Sequence, residues 1–282
     1  MPVMRIGFVG TGHMCVPMIR NLVAAGFEVQ IYARDRSKVA GLPGMFRGSV
    51  QEAVSGTDAL CSIVTDSPDV QEVVRAALEA DSPPPLVIEM STIAPHVAIE
   101  LADACAGLGI SYLDCPVSGG PPGAEAGSLA VMCGGDADAL DRASPILDVI
   151  GDPEKRFHCG PVGSGLVVKL VNNLLVGTIT AATAESLAVA KSAGVDPLLV
   201  RDVLMGATAG SWQLANMFPK ILAGDHSPGF KARDLRKDLA HAQDLAGRPL
   251  PLGDVAADLY RELEPDLNYG AVARQFLEDA EL

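Results

Sequence analysis

The first half of the chain alternates short apolar runs with segments of helical periodicity, and this alternation restricts the fold more than any other feature. The apolar runs have the length of buried strands. We predict strands at residues 4–9, 29–33, 59–64, 86–90, 110–113 and 129–133, and helices at 14–25, 68–79, 95–108 and 136–150. Such alternation is typical of a parallel sheet with helices on its faces. The sequence therefore predicts a doubly wound α/β domain.

The second half has a different pattern. From Leu166 to Ala193 there is no proline and one glycine, and apolar residues recur on most faces, which predicts one long helix buried all round. We predict shorter helices at residues 196–206, 211–223, 230–246 and 252–264. The predicted organisation is an α/β domain at residues 1–162, followed at 163–282 by an all-α domain that the long helix connects to it.

Composition excludes several classes of protein. The formal net charge of -14 disfavours binding to nucleic acid phosphates. Six cysteines include no C-x-x-C pair and no cysteine and histidine cluster with zinc-ligand spacing, so we predict reduced thiols and no metal. The N-terminus lacks the pattern of a signal peptide, and the longest apolar stretch carries Lys169, Asn172, Asn173 and Glu185. We expect a soluble cytoplasmic protein.

A glycine-rich turn follows the first predicted strand. In Ile6-Gly7-Phe8-Val9-Gly10-Thr11-Gly12, Gly10 permits a tight turn and Gly12 allows a pyrophosphate to approach the next helix. Cys15 stands where the fingerprint has its third glycine, and a small thiol is tolerable there. The alternative is an ordinary turn, but its place between strand and helix favours a Rossmann-type dinucleotide site formed by Gly10, Thr11, Gly12, His13 and Met14.

Basic residues follow the second predicted strand, where enzymes that use NAD place an acid on the ribose. Arg34 and Lys38 stand there, and a guanidinium suits a 2'-phosphate, so we predict NADP as the favoured cofactor, with NAD possible. Asp35 argues for NAD. A solvated charge run would be compatible with either cofactor.

Lys169 and Asn173 lie four residues apart in the long predicted helix and share a face. An amine and a carboxamide so placed can transfer a proton to a substrate oxygen and hold it. The alternative is a lysine that reaches the surface beside an amide that satisfies its own helix.

Four blocks occur in order along the chain. They are Gly7-x-x-Gly10-x-Gly12-x-Met14-x-x-Pro17-Met18-x-x-Asn21-Leu22, Asp114-x-Pro116-Val117-Ser118-Gly119-Gly120-x-x-Gly123-Ala124-x-x-Gly127-x-Leu129, Gly163-x-Gly165-x-x-x-Lys169-x-x-Asn172-Asn173 and Phe230-x-x-x-Asp234-Leu235-x-Lys237-Asp238-Leu239. Together they resemble the β-hydroxyacid dehydrogenases, which include 3-hydroxyisobutyrate dehydrogenase and the glyoxylate, succinic semialdehyde and tartronate semialdehyde reductases. The usual C-terminal motif of that family has no good match, which puts cofactor contacts from the C-terminus in doubt.

The resemblance implies a role for each matching residue. Lys169 would be the general acid in carbonyl reduction and the base in alcohol oxidation, and Asn173 would bind the same substrate. Ser118, Gly119 and Gly120 would bind the substrate carboxylate. Residues near the cofactor would be Thr65, Asp66, Thr92, Phe230 and Lys237.

Simpler roles exist for several of these residues. Ser118 to Gly120 could form a plain turn, and Thr92 could cap the helix that Pro95 opens. Lys237 could be solvated beside Asp238, and Phe230 could belong to the core.

We therefore expect an NAD(P)-dependent oxidoreductase that acts on a small hydroxyacid or semialdehyde. The apolar helix at 166–193 predicts a homodimer or homotetramer packed through it. One alternative is an imine reductase, although the related imine reductases generally have another residue in place of Lys169. Another is a non-catalytic NADP-binding scaffold or sensor. The sequence leaves open the particular substrate, the physiological direction and the choice between dimer and tetramer.

Overall fold

The structure is a computed structural model that describes residues 3–35, 37, 41–225, 227 and 229–277. The chain divides into two compact units, Met1–Lys169 and Leu170–Leu282. The predicted boundary after residue 162 lies in the turn before the long helix, whereas the division between the units falls inside that helix.

The first unit is built on one sheet. Its strands are β1 (Arg5–Val9), β2 (Glu28–Tyr32), β3 (Met45–Phe46), β4 (Ala59–Ser62), β5 (Leu86–Glu89), β6 (Ser111–Asp114), β7 (Val117–Ser118), β8 (Leu129–Gly134) and β9 (Gly151–Gly160). The order is β3-β2-β1-β4-β5-β6-β8-β7, and β9 also pairs with β8. Strands β1 to β6 are parallel, while β8 runs antiparallel to β6 and β7. The doubly wound Rossmann-type sheet predicted from sequence is therefore present.

Helices cover both faces of this sheet. They are α1 (Cys15–Ala24), α2 (Val50–Val54), α3 (Ser67–Leu78), α4 (Pro95–Ala106), α5 (Gly120–Glu125) and α6 (Ala137–Ile150). One buried cluster packs α1 and α6 against the sheet, and a second packs α3 and α4. Because the strands are buried on both sides, their sequences are continuous apolar runs.

Five short or polar elements of this unit were not among the predicted ones: β3, α2, β7, α5 and β9. Strands β3 and β7 have two residues each, too few to show a period. Helix α5 begins with Gly-Pro-Pro, which carries no helical pattern. Strand β9 is mostly exposed and polar, so it lacks the apolar alternation by which strands are recognised.

The second unit is helical. After α7 (Ser164–Ser192), which both units share, it contains α8 (Pro197–Met205), α9 (Trp212–Asn216), α10 (Phe218–Leu222), α11 (Ala232–Ala246), α12 (Pro251–Arg261) and α13 (Arg274–Leu277). The prediction of a single helix over 211–223 was wrong, because the chain breaks at Met217 into α9 and α10. Pro219 has no N–H to donate to the preceding turn, so the helical ladder cannot continue.

Helix α7 is less enclosed than predicted. Val171, Leu175 and Val189 are 52%, 53% and 66% exposed, so the prediction of a helix buried all round was wrong for the single chain. By length and composition α7 is also apolar enough to cross a membrane. It contains Lys169 and Asn173, however, and part of its apolar surface, including Leu166 and Leu187, lies in the buried clusters of the two units.

Candidate active site

The turn between β1 and α1 has the geometry of a dinucleotide site. Gly10 has a φ of 126°, and a Cβ there would lie 2.2 Å from the carbonyl oxygen of Ile63, so only glycine fits. A Cβ on Gly12 would meet nothing closer than the Cys15 sulfur at 4.0 Å, which leaves the space above the turn open. Helix α1 begins after Met14 without a side-chain cap. The open space over the glycine turn, at the N-terminus of α1, therefore fits a pyrophosphate.

Cys15 occupies the third position of the glycine fingerprint and packs without disturbing it. The thiol is buried and donates to the carbonyl oxygen of Ile63 at 3.5 Å. Burial raises the pKa of this thiol to about 12, so it is neutral at physiological pH. The residue acts as a small packing group between helix and strand.

Other predicted cofactor residues follow the neighbouring strands. Thr65 and Asp66 come after β4, and Thr92 comes after β5, so all three lie at the carboxyl edge that also carries the glycine turn. Asp66 caps α3 through the amide of Ser67 at 2.7 Å. Ala94 holds the N-cap position of α4, so Thr92 is not the N-cap residue. The position of Thr92 agrees with the ligand edge of an open α/β sheet.

Arg34 follows β2 beside a small cavity that Gly10 also lines. Its guanidinium Nη1 lies 2.9 Å from Oδ1 of Asp69 on α3. Asp35 accepts hydrogen bonds from the amide and hydroxyl of Ser37 at 3.0 and 2.6 Å. Lys38, the other predicted cation, lies outside the described residues.

A buried carboxyl group, Glu89, ends β5 at the same edge. It accepts hydrogen bonds from the hydroxyl of Ser62 and, at 2.7 Å, from the amide of Ser91. Ser91 in turn accepts from the amide of Val64 at 2.8 Å, which ties the ends of β4 and β5 together. Burial raises the pKa of Glu89 to about 7, against these hydrogen bonds, which lower it.

Glu89 gives the stability of the protein a defined dependence on pH. Its pKa is about 7 when folded against an ordinary value of 4.5, so the folded state holds the proton more tightly. The resulting stabilisation is complete below about pH 4.5 and is lost as pH rises through about 7, a change of roughly 3 kcal/mol. Glu89→Gln should remove this loss. Denaturant unfolding of both proteins at pH 5 and pH 8 measures it, and equal pH dependence would contradict the prediction.

The predicted anion-binding turn lies between β7 and α5. Ser118 ends β7, and Gly119 and Gly120 follow with φ values of 136° and 64°, a region that favours glycine. The other end of α5 is held by Asn21 of α1, whose side-chain amide donates to the carbonyl of Ala124 at 2.9 Å. The cofactor helix therefore supports the segment that carries the predicted substrate turn.

Asp114 anchors the start of α7 to the sheet. This buried carboxylate ends β6 and accepts from the amide of Gly163 at 2.7 Å and from that of Leu166 at 2.9 Å. Burial raises the pKa of Asp114 to about 6, and the backbone hydrogen bonds oppose that rise. A Cβ on Gly165 would lie 2.3 Å from the carbonyl oxygen of Met132. The first turn of α7 is thus held closely to the sheet, and Lys169 follows one turn later.

Lys169 is 9% exposed in the first unit, and Asn173 is 2% exposed in the second. Both lie on the continuous helix α7, one turn apart. The alternative of a lysine that reaches the surface is therefore wrong for Lys169. Burial of a lysine is rare without a functional or structural reason.

The second unit brings Asn173 and Lys237 together on one carboxylate. The side-chain Nδ2 of Asn173 donates to Oδ2 of Asp238 at 2.5 Å. Its Oδ1 accepts from the side-chain Nδ2 of Asn172 at 2.9 Å. Oδ1 of Asp238 lies 2.9 Å from Nζ of Lys237, an ion pair outside hydrogen-bond geometry. Lys237 is largely buried here, so the solvated alternative was wrong. Phe230 packs edge-on against Tyr269 at 5.6 Å.

Asp238→Asn should disturb both partners. The NH₂ group of the new asparagine can face the NH₂ group of Asn173, so that two donors meet. The substitution also removes the negative charge that neutralises the Lys237 ammonium. We expect a loss of about 1 to 3 kcal/mol in the free energy of unfolding and of about tenfold or more in kcat/KM. Asp266→Asn, which breaks the exposed Lys231–Asp266 pair, is the control and should change little. Wild-type values for Asp238→Asn in denaturant unfolding and steady-state kinetics would contradict this role.

Sequence reasoning missed the carboxylates that organise these sites: Asp69, Glu89, Asp114 and Asp238. Asp114 and Asp238 stood within motifs, but their partners lie 49 and 65 residues away and no local pattern reveals them. Glu89 offered one signal, because an acid at the end of an apolar strand is costly to bury unless it is paired.

Fold and site together define a dinucleotide-binding protein of the Rossmann class with a helical second unit. Residues 5–163 match the model of the NAD binding domain of 6-phosphogluconate dehydrogenase. Residues 163–276 match the model of the NAD-binding region of NADP-dependent 3-hydroxyisobutyrate dehydrogenase.

Individual relatives agree. NAD-dependent L-serine dehydrogenase of Pseudomonas aeruginosa is 36% identical over 96% of this chain and 95% of its own. The solved structure of Mycobacterium tuberculosis 3-hydroxyisobutyrate dehydrogenase with L-serine has a TM-score of 0.87 at 32% identity, over 97% of this chain and 99% of that one. The Streptomyces aurantiacus imine reductase, at 18% identity and a TM-score of 0.67 over 96% and 99%, shares the fold. The chain belongs to the β-hydroxyacid dehydrogenase family.

Proposed function

We propose that the protein transfers a hydride between a nicotinamide cofactor and a small hydroxyacid or semialdehyde, with Lys169 as the general acid and base. The observation that carries this proposal is the pair of buried polar residues Lys169 and Asn173, one turn apart on α7. A bound nicotinamide dinucleotide supplies or accepts the hydride. The residues of the chain hold the reactants and move the proton.

Each group has a defined task in this mechanism. In the reductive direction the ammonium of Lys169 donates a proton to the substrate oxygen as the carbonyl becomes an alcohol. In the oxidative direction the neutral amine takes the hydroxyl proton. Asn173, whose amide Asp238 orients, holds the same substrate by hydrogen bonds. Ser118 and the turn at Gly119 and Gly120 bind its carboxylate through a hydroxyl and backbone amides.

We propose NADP as the favoured cofactor and NAD as a second one. Support for NADP comes from Arg34, which lies beside the cavity next to the glycine turn, because a guanidinium binds a 2'-phosphate through charge-assisted hydrogen bonds. Support for NAD comes from the relative that uses it. The turn after β1 and Arg34 would hold the adenosine of the cofactor, and the glycine turn before α1 would hold its pyrophosphate.

The substrate is a small carboxylate with a hydroxyl, aldehyde or ketone near the carboxyl group. The relatives named for L-serine and 3-hydroxyisobutyrate support an acid with a three-carbon main chain, in which the carbon farthest from the carboxyl group carries the hydroxyl. The test is a panel of five substrates, run with both cofactors in parallel. They are L-serine, 3-hydroxyisobutyrate, glyoxylate, succinic semialdehyde and tartronate semialdehyde. Turnover of an acid supports the proposal. Binding of cofactor without turnover of any acid favours a scaffold, and turnover of cyclic imines alone favours an imine reductase.

We also propose a homodimer or homotetramer in the cytoplasm, packed through the exposed apolar face of α7. Val168, Val171 and Leu175 lie on that face at helical spacing and are exposed in the single chain. A second copy would remove these side chains from water. Sedimentation at micromolar concentration tests this assembly, and a monomer would contradict it.

A further inference from the structure

The ion pair of Arg34 and Asp69 lies inside the cavity proposed to hold the adenosine of the cofactor. Nη1 of Arg34 is 2.9 Å from Oδ1 of Asp69, and both residues line the cavity with Gly10. The Arg34 side chain is 65% exposed and the Asp69 side chain 24%, so the carboxylate belongs to the wall and the guanidinium reaches outward. Arg34 thus already has an anionic partner where a 2'-phosphate would bind.

Among the described residues, the cavity lining carries more negative than positive charge. Glu72 lines it one turn after Asp69 on α3, and among the described lining residues Arg34 is the only cation. A phosphate monoester brings a further charge of about -1.5 to -2 at neutral pH. A ribose hydroxyl, in contrast, is neutral and can donate a hydrogen bond to a carboxylate. These carboxylates therefore disfavour the 2'-phosphate of NADP and can accept a hydrogen bond from the 2'-hydroxyl of NAD.

We propose that Asp69 is a specificity-determining residue that restrains the preference of Arg34 for a 2'-phosphate and so allows the protein to use both NADP and NAD. Asp69 competes with the phosphate for the guanidinium and repels it as a like charge. With NAD the ion pair stays intact and the carboxylate accepts from the ribose hydroxyl. This inference rests on the proposed cofactor site and adds the residue that limits its selectivity.

Competition outweighs the opposite role, in which Asp69 would orient Arg34 for the phosphate. An ion pair in contact with solvent contributes little to the placement of a long side chain. The repulsion between the carboxylate and a phosphate beside the same guanidinium acts directly on the ligand. Removal of the Asp69 carboxylate should therefore strengthen phosphate binding by relief of repulsion more than it weakens that binding by loss of Arg34 orientation.

The test is equilibrium binding of two cofactor fragments to the full chain by calorimetry. Adenosine 2',5'-bisphosphate carries the 2'-phosphate, and 5'-AMP lacks it. We expect Asp69→Asn to raise the affinity for the bisphosphate about tenfold and not to raise that for 5'-AMP, whose ribose hydroxyl loses a charged acceptor. Asp141→Asn on α6 removes the same charge from an exposed position that does not line the cavity, and it should change neither affinity.

Unchanged or weaker binding of the bisphosphate to Asp69→Asn would overturn the inference, and so would an equal gain for 5'-AMP. Thermal unfolding of each variant shows that it is folded. Arg34→Ala separates this inference from the proposed function. If Arg34→Ala leaves bisphosphate binding unchanged, the proposed NADP preference fails. If it weakens that binding while Asp69→Asn has no effect, only the role of Asp69 is wrong.

Discussion

Replacing Lys169 with alanine is expected to lower kcat/KM for the acid that turns over by a factor of about 10² to 10⁴, the usual contribution of a general acid or base. The remaining chemistry would have to draw its proton from water. Binding of adenosine 2',5'-bisphosphate should stay within about threefold of the wild-type value, because Lys169 takes no part in the adenosine site. Steady-state kinetics across pH, with calorimetry, measure both quantities.

Lys191 supplies a matched control, since it lies in the last turn of the same helix. Lys191→Ala should keep wild-type kinetics. A small primary amine added to Lys169→Ala should restore part of the activity, and the pH dependence of the restored activity should follow the pKa of the added amine. Full turnover by Lys169→Ala at every pH would contradict the mechanism and leave Lys169 a structural residue.

The second large effect is expected at Gly165, in the first turn of α7. A Cβ there would lie 2.3 Å from the carbonyl oxygen of Met132 and 2.9 Å from both Oδ2 and the carbonyl oxygen of Asp114. Two of these three atoms are backbone and cannot move aside cheaply. Gly165→Ala should lower the free energy of unfolding by about 2 to 4 kcal/mol despite the better helix propensity of alanine. Denaturant unfolding measures the change.

Gly177 is the matched glycine on the same helix. A Cβ at Gly177 would lie 3.4 Å from side-chain atoms of Leu239 and Tyr260, which is ordinary contact. Gly177→Ala should therefore stay within about 1 kcal/mol of wild type, because helix propensity offsets mild crowding. Equal destabilisation by the two substitutions would mean that the helix start is not the close contact described.

The elements that could be predicted from sequence are those whose burial leaves a pattern. Strands β1, β4 and β5 are buried on both faces and read as apolar runs, and α3 and α4 begin near prolines. Strand β9 could not be predicted in this way, because its side chains are mostly exposed and its place depends on pairing with β8. The exposure of α7 could not be predicted either, because apolar composition does not show which of its side chains pack against the rest of the chain.

The candidate site follows the same division. Lys169, Asn173 and Lys237 could be proposed from motifs, because their spacing and neighbours are local. That Asn173 and Lys237 share the Asp238 carboxylate depends on two helices that are distant in sequence. Likewise, Arg34 could be proposed as the phosphate ligand from its place after β2, while its partner Asp69 lies on α3 and their ion pair is evident only in the structure.

The hydrogen bond from Asn21 to Ala124 leaves the two ends of α5 under different constraints. Its carboxyl end is fastened to α1, and α1 has to keep its place for the cofactor. Its amino end, at Gly120, carries the turn proposed to bind the substrate carboxylate. The hydrogen bond from Asn21 therefore links the cofactor helix to the element that begins at the proposed substrate turn.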